Sequence, residues 1–134
     1  MVAALRATCN SSRYFRLIDA VTLVAGAKIR TRLRSLIESR KRISVPSLVY
    51  YEFLRGPRVP AELALQEAWF PRNEAFVFGA DEAAASAKIY GAVGRARGRE
   101  VDLAIAGCAV VHDAMLWTLN TKDFADIPNL RLPA

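Results

Sequence analysis

Apolar positions along this chain fall into short runs separated by stretches of helical period. Tyr14-Phe15-Arg16-Leu17-Ile18 is compact and aromatic or branched at most positions, which predicts a first strand. From Ala20 to Ile37, Val24, Ala27, Leu33, Leu36 and Ile37 are spaced to face one core, which predicts a helix. Ile43-Ser44-Val45-Pro46 reads as a second strand with Pro46 at its end, where a missing backbone donor matters least. Ser47 is expected to cap a helix through Leu48 to Leu54, stopped by Gly56-Pro57. A short helix from Ala61 to Trp69 follows, then a third strand over Ala75-Phe76-Val77-Phe78. Asp81 is expected to cap a helix that runs to about Arg97 and ends at Gly98. Val101 to His112 is the next helix, Met115 to Leu119 the fourth strand, and Leu130-Arg131-Leu132 a short edge strand. Residues 1–12 have no periodic pattern and read as a loose N-terminal extension.

Strands that alternate with helices pair in parallel through right-handed crossovers. The expected fold is therefore a single-domain, three-layer α/β/α sandwich around a mainly parallel sheet. The length of 134 residues suits that fold, because a chain of this size buries roughly two thirds of its unfolded surface in one core. A composition of 53% hydrophobic and 24% charged residues is that of a globular chain. No apolar run reaches the ~18 residues of a membrane span. Arg6 interrupts the start where the apolar core of a signal peptide would run, so export is not expected. Cys9 and Cys108 lie far apart with no Cys or His at ligand spacing, which fits a reduced cytoplasm and offers no zinc site. A soluble cytoplasmic domain with no membrane partner is the expectation.

Charge sharpens the picture. The net charge is +6, from nineteen Lys and Arg against thirteen Asp and Glu. Lys28, Arg30, Arg32, Arg34, Arg40, Lys41 and Arg42 fall in one segment with a single acid, Glu38, which leaves twelve residues of each sign elsewhere. A localised basic patch on a neutral body points to a polyanion partner, with a merely solvated helix face as the alternative.

The acids are placed to do chemistry. Sites in open parallel sheets form beyond the carboxyl ends of the strands. Asp19 follows the first strand, Glu52 sits in the helix after the second, Asp102 opens the helix before the fourth, and Asp123 follows the fourth. Taken singly, each is more readily an ordinary acid, Asp19 and Asp102 as helix caps and Glu52 and Asp123 as exposed residues. Carboxylates that converge repel one another and call for a compensating cation. An all-oxygen donor set selects a hard ion, Mg²⁺ or Mn²⁺. Such an ion beside a basic surface suits phosphodiester hydrolysis.

The wording around these acids resembles the PIN-domain ribonucleases, in particular the VapC-type toxins of bacterial toxin–antitoxin pairs. The resemblance is carried by Leu17-Ile18-Asp19 with Leu23-Val24, by Glu52-Phe53-Leu54-Arg55-Gly56, and by Gly98 to Ala106 around Asp102. Its most specific part is Thr118-Leu119-Asn120-Thr121-Lys122-Asp123-Phe124 with Ile127-Pro128. It implies an Mg²⁺-dependent endoribonuclease (Mn²⁺ serving as well) in which Asp19, Glu52, Asp102 and Asp123 hold the ion. Thr118 and Asn120, two apart on one strand, would support the acids or the scissile phosphate. The basic residues Arg30, Arg32, Arg34, Arg40, Lys41 and Arg42 would grip the RNA. An antitoxin would cover the acids with a helix and an extended tail, and the toxin would be a homodimer. The sequence departs from the family where Thr or Ser and often Asn follow the first acid, for here Ala20 and Val21 stand. A non-catalytic PIN-like module that binds RNA is the rival reading. Glu100 reads as a surface acid, His112 as a helix C-terminal residue without a catalytic role, and Cys108 as core filling. Trp69-Phe70 and Trp117 read as core or interface residues.

Overall fold

The computed structural model describes residues 4–7, 15–18, 41–118 and 120–132, with the backbone alone at 4–7, 15–18 and 41–43. Asp19, the expected helix over 20–37 and the basic residues Arg30, Arg32, Arg34 and Arg40 lie outside the described residues.

The described elements are β1 (Ala4–Ala7), β2 (Phe15–Ile18), β3 (Lys41–Ser44), α1 (Ser47–Arg55) and α2 (Pro60–Trp69). A 3₁₀ turn at Arg72–Glu74 leads to α3 (Ala80–Ala92), α4 (Glu100–Val111), β4 (Ala114–Trp117) and α5 (Thr121–Phe124). The strands form one sheet in the order β1-β3-β2-β4. β2 runs parallel to both β3 and β4, pairing Arg16 with Ile43 and Leu17 with Leu116. β1 is antiparallel to β3, with Leu5 opposite Ile43. Residues 4–7 are thus a strand, where the sequence reads as a loose extension. An edge strand this short is held by backbone pairing on one side and needs no alternating pattern to mark it.

The core is built around α4. Leu103, Ile105, Ala106 and Ala109 are buried on it, and they meet Val45, Val49, Phe53, Leu116, Phe124 and Ile127 from the neighbouring elements. A helix with buried residues at so many successive positions is enclosed on several sides, unlike the one-faced surface helix. Gly107 permits the closest approach to α3, since a Cβ there would lie 2.1 Å from Ser86 Oγ and 3.0 Å from Ser86 Cα. Trp69 and Phe70 close α2 against the same core, Phe70 fully buried, and Trp117 is buried in β4.

Several boundaries differ from the sequence pattern, each for a local reason. The expected third strand is reduced to a single parallel bridge between Pro46 and Phe76. Phe76 N–H donates to the Val45 carbonyl and Ser47 N–H to the Phe76 carbonyl, but Ser47 already begins α1, so the ladder has no further partner. Pro46, not Ser47, is the N-cap of α1, and the Ser47 hydroxyl instead accepts the N–H of Phe78 at 3.2 Å. α3 stops at Ala92, short of Arg97, because Gly91 and Gly94 bracket its end and glycine costs a helix about 1 kcal/mol each. Its N-cap is Gly79, whose N–H is taken by Glu82 Oε2 at 3.0 Å, while Asp81 is an exposed first-turn residue. The expected edge strand at 130–132 is one bridge, Arg131 with Met115.

Candidate functional site

The site is best built outward from α4. Asp102 lies in the first turn, half-buried, and the buried Leu103 beside it ties that turn to the core. From the other direction, β4 delivers the chain at Trp117. Thr118 is buried, and its Oγ1 accepts the N–H of Asn120 at 3.0 Å, a local hydroxyl-to-backbone turn that swings the chain into α5. Asp123 sits exposed on α5, which is anchored by the buried Phe124. This corrects one expectation: β4 ends before Thr118, so Thr118 and Asn120 are not two positions of one strand. Asn120 is the exposed N-cap of α5 and makes no side-chain cap bond.

Arg99 joins the two acidic segments. It is the N-cap of α4, and its guanidinium closes on Asp126 with Nη1 2.9 Å from Oδ2 and Nη2 2.7 Å from Oδ1. Nη2 also donates to the Asp123 carbonyl at 2.6 Å, and Nη1 to the Arg95 carbonyl at 3.1 Å. Hydrogen bonding to Asp126 holds the guanidinium above its ordinary value; burial opposes this, and the charges of Asp126, Asp102 and Asp123 add to it. The same bonds hold the Asp126 carboxyl below its usual range. Arg99 is therefore the ion-pair partner of Asp126 and a tether between α4 and the Asp123 backbone, and the sequence pattern does not single it out. The available signal is its position three residues before Asp102, which places it at the helix start.

The other expected residues divide. Glu52 is half-buried on α1, with Arg55 Nη2 3.9 Å from its Oε1. Asp19 lies outside the described residues. Among the described residues, no three His, Cys, Asp or Glu side chains gather into a group that could hold a metal ion. Lys41 and Arg42 belong to β3. Glu100 is a surface acid as expected; its Oε1 accepts the Gly98 N–H at 3.1 Å, and its own and the Gly98 backbone N–H hold the carboxyl below its ordinary range. Cys108 is buried core, its thiol pushed up to about 12 chiefly by burial and further by the charge of Glu82. His112 has a structural partner that its place at a helix end does not disclose. Its Nε2 donates to Glu82 Oε1 at 2.9 Å and its ring stacks on Phe76 with centroids 4.4 Å apart. An open cavity lined by Ala84, Lys88, Ile89, Val110 and Pro128 contains none of these acids.

An α/β domain in which Arg99 ties the start of α4, just before Asp102, to the Asp123 segment beyond β4 belongs to a recognisable class. Residues 17–130 match the PIN domain, and the chain belongs to that family. No curated protein matches the chain. Among solved structures it is similar to the DNA-bound VapBC from Salmonella typhimurium, with a TM-score of 0.70 and 21% identity over 90% of this chain and 96% of that one. It is also similar to VapBC2 from Rickettsia felis bound to a promoter DNA fragment, with a TM-score of 0.63 and 19% identity over 90% and 96% of the two chains. At these identities the likeness is one of fold.

Proposed function

We propose that this PIN domain is an Mg²⁺-dependent endoribonuclease acting as the toxin of a cytoplasmic toxin–antitoxin pair, its sheet completed as a three-layer α/β/α sandwich. The observation that carries the proposal is Arg99, the N-cap three residues before Asp102, whose guanidinium donates to the Asp123 carbonyl and so ties the start of α4 to the segment that carries Asp123. Asp19 and Glu52 complete the donor set, with Mn²⁺ able to replace Mg²⁺. When bound, the ion polarises a phosphoryl oxygen and lowers the pKa of its water. The chain's own residues hold the two segments in place: Leu103 and Phe124 fix the backbone beside each acid, and Arg99 ties the start of α4 to the Asp123 backbone. Thr118 supports the site indirectly, by shaping the turn into α5.

The VapBC neighbours support an antitoxin as partner. Tyr51, Leu54, Leu63 and Leu65 are large exposed apolar side chains on α1 and α2, the kind of surface such a partner would cover. The basic segment from Lys28 to Arg42 supplies phosphate contacts to RNA, and the functional unit is a homodimer. No helix among the described residues is long and apolar enough to cross a membrane.

The test is cleavage of a labelled single-stranded RNA. Wild-type protein should cut it in Mg²⁺ or Mn²⁺ and stop in EDTA, and Asp102→Asn should not cut. Full activity in EDTA overturns the proposal. Ala20 and Val21, where the family carries a hydroxyl and an amide, favour the second reading of a non-catalytic RNA-binding module. RNA bound but left uncut in either ion establishes that reading.

A further inference from the structure

A second basic surface lies in the loop from Val93 to Arg99, which leads into α4 just before Asp102. Its sequence, Val-Gly-Arg-Ala-Arg-Gly-Arg, places Arg95 and Arg97 on either side of Ala96. Val93 and Ala96 pack against the core, while Arg95, Arg97, Gly94 and Gly98 are exposed. The loop is held from both sides. Arg99 N–H donates to the Ala96 carbonyl at 3.0 Å, and the Arg99 guanidinium donates to the Arg95 carbonyl while gripping Asp126 and the Asp123 carbonyl. Gly98 turns the chain at φ 87°, a conformation that favours glycine. Neither Gly94 nor Gly98 has an atom within 4 Å of where a Cβ would stand, so the backbone there is open to approach.

We propose that this loop is a phosphate-gripping shelf, on which Arg95 and Arg97 hold the backbone of a single-stranded RNA beside Asp102 and Asp123. The inference rests on the nuclease reading and names a surface by which that site takes its substrate. Arg99 cannot serve as a grip itself, because its fork is already closed on Asp126. Its part is to fix the loop, with its two exposed arginines, to the backbone of Asp123. The chemistry favours a polyanion over a protein. Every exposed residue of the turn from Gly94 to Gly98 is Gly or Arg, and an interface with a protein draws its energy from buried apolar or aromatic anchors that this turn lacks. Binding to phosphates needs only cations and counterion release.

The experiment is fluorescence anisotropy with a fluorescein-labelled single-stranded RNA of mixed sequence, in EDTA, across a salt series. Measuring without metal keeps binding separate from cleavage. Replacing Arg95 and Arg97 together with Gln should leave the melting temperature unchanged, weaken binding, and lower the log–log salt slope by roughly 1.4, two contacts at about 0.7 each on a single strand. Arg72→Gln, an exposed cation in the 3₁₀ turn, should leave the slope as it is. An unchanged slope in the double variant overturns the shelf, and so does an equal loss in Arg72→Gln, which would show bulk charge alone. If the double variant loses slope and the wild type still fails to cut RNA in Mg²⁺ or Mn²⁺, the shelf stands and the nuclease reading falls.

Discussion

The Glu82 carboxylate is the most consequential buried charge among the described residues. At 8% exposure it would be costly without partners. Burial pushes its pKa up, but its own N–H, that of Gly79 and the His112 ring outweigh this and hold it below the ordinary value of 4.5. A carboxyl depressed in the fold binds its proton more weakly there than in the unfolded chain. Its contribution to stability is therefore complete above the ordinary value and is lost as pH falls through the folded one. Denaturant midpoints measured from about pH 6 to about pH 3 should fall less steeply for Glu82→Gln than for wild type. An equal acid limb would show that Glu82 is not the group responsible. His112→Ala should cost about 1–3 kcal/mol, since a buried carboxylate loses one of its donors. This pair shows where reading by sequence stops. His112 and Glu82 are thirty residues apart, and no periodicity links positions on two different helices. Asp102 and Asp123 are legible for the opposite reason: each lies within a few residues of β4 or opens the helix before it, so strand placement alone locates them.

Among the elements, α4 and its crossing with α3 set the tolerance of the fold. Ser86 Oγ donates to the Glu82 carbonyl at 2.6 Å and lies under Gly107, where no Cβ fits. Gly107→Ala should therefore cost about 1–3 kcal/mol of overpacking strain, and Ser86→Gly in the same chain should recover part of it. A neutral Gly107→Ala in urea unfolding would mean the helices separate without penalty. α1, α4, β2 and β4 can all be read from the pattern: the helices from their length, caps and stops, and the strands as short compact apolar runs. The elements that escape are those whose limits come from pairing or glycine. β1 exists because β3 offers it a free edge. The segment at 75–78 reads as a strand but meets only the last residues before α1, and α3 ends at its glycines although its arginines would continue a helix.

For the whole molecule, Arg99 holds α4, whose first turn carries Asp102, to the chain that carries Asp123 beyond β4. Arg99→Lys should keep the charge and lose the two-armed grip on Asp126, because an ammonium cannot close a fork. A lower melting temperature with the salt dependence of RNA binding unchanged would mark Arg99 as a tether. The most direct test of the acidic site itself is the melting temperature of wild type and of Asp102→Asn, each with EDTA and with Mg²⁺. An ion at ten times its dissociation constant stabilises the state that binds it by about 1.4 kcal/mol, roughly 5 °C for a domain of this size. Mg²⁺ should raise the wild-type melting temperature by that order and raise that of Asp102→Asn much less. Equal shifts in both proteins, or none in the wild type, would contradict a divalent-ion site built on Asp102.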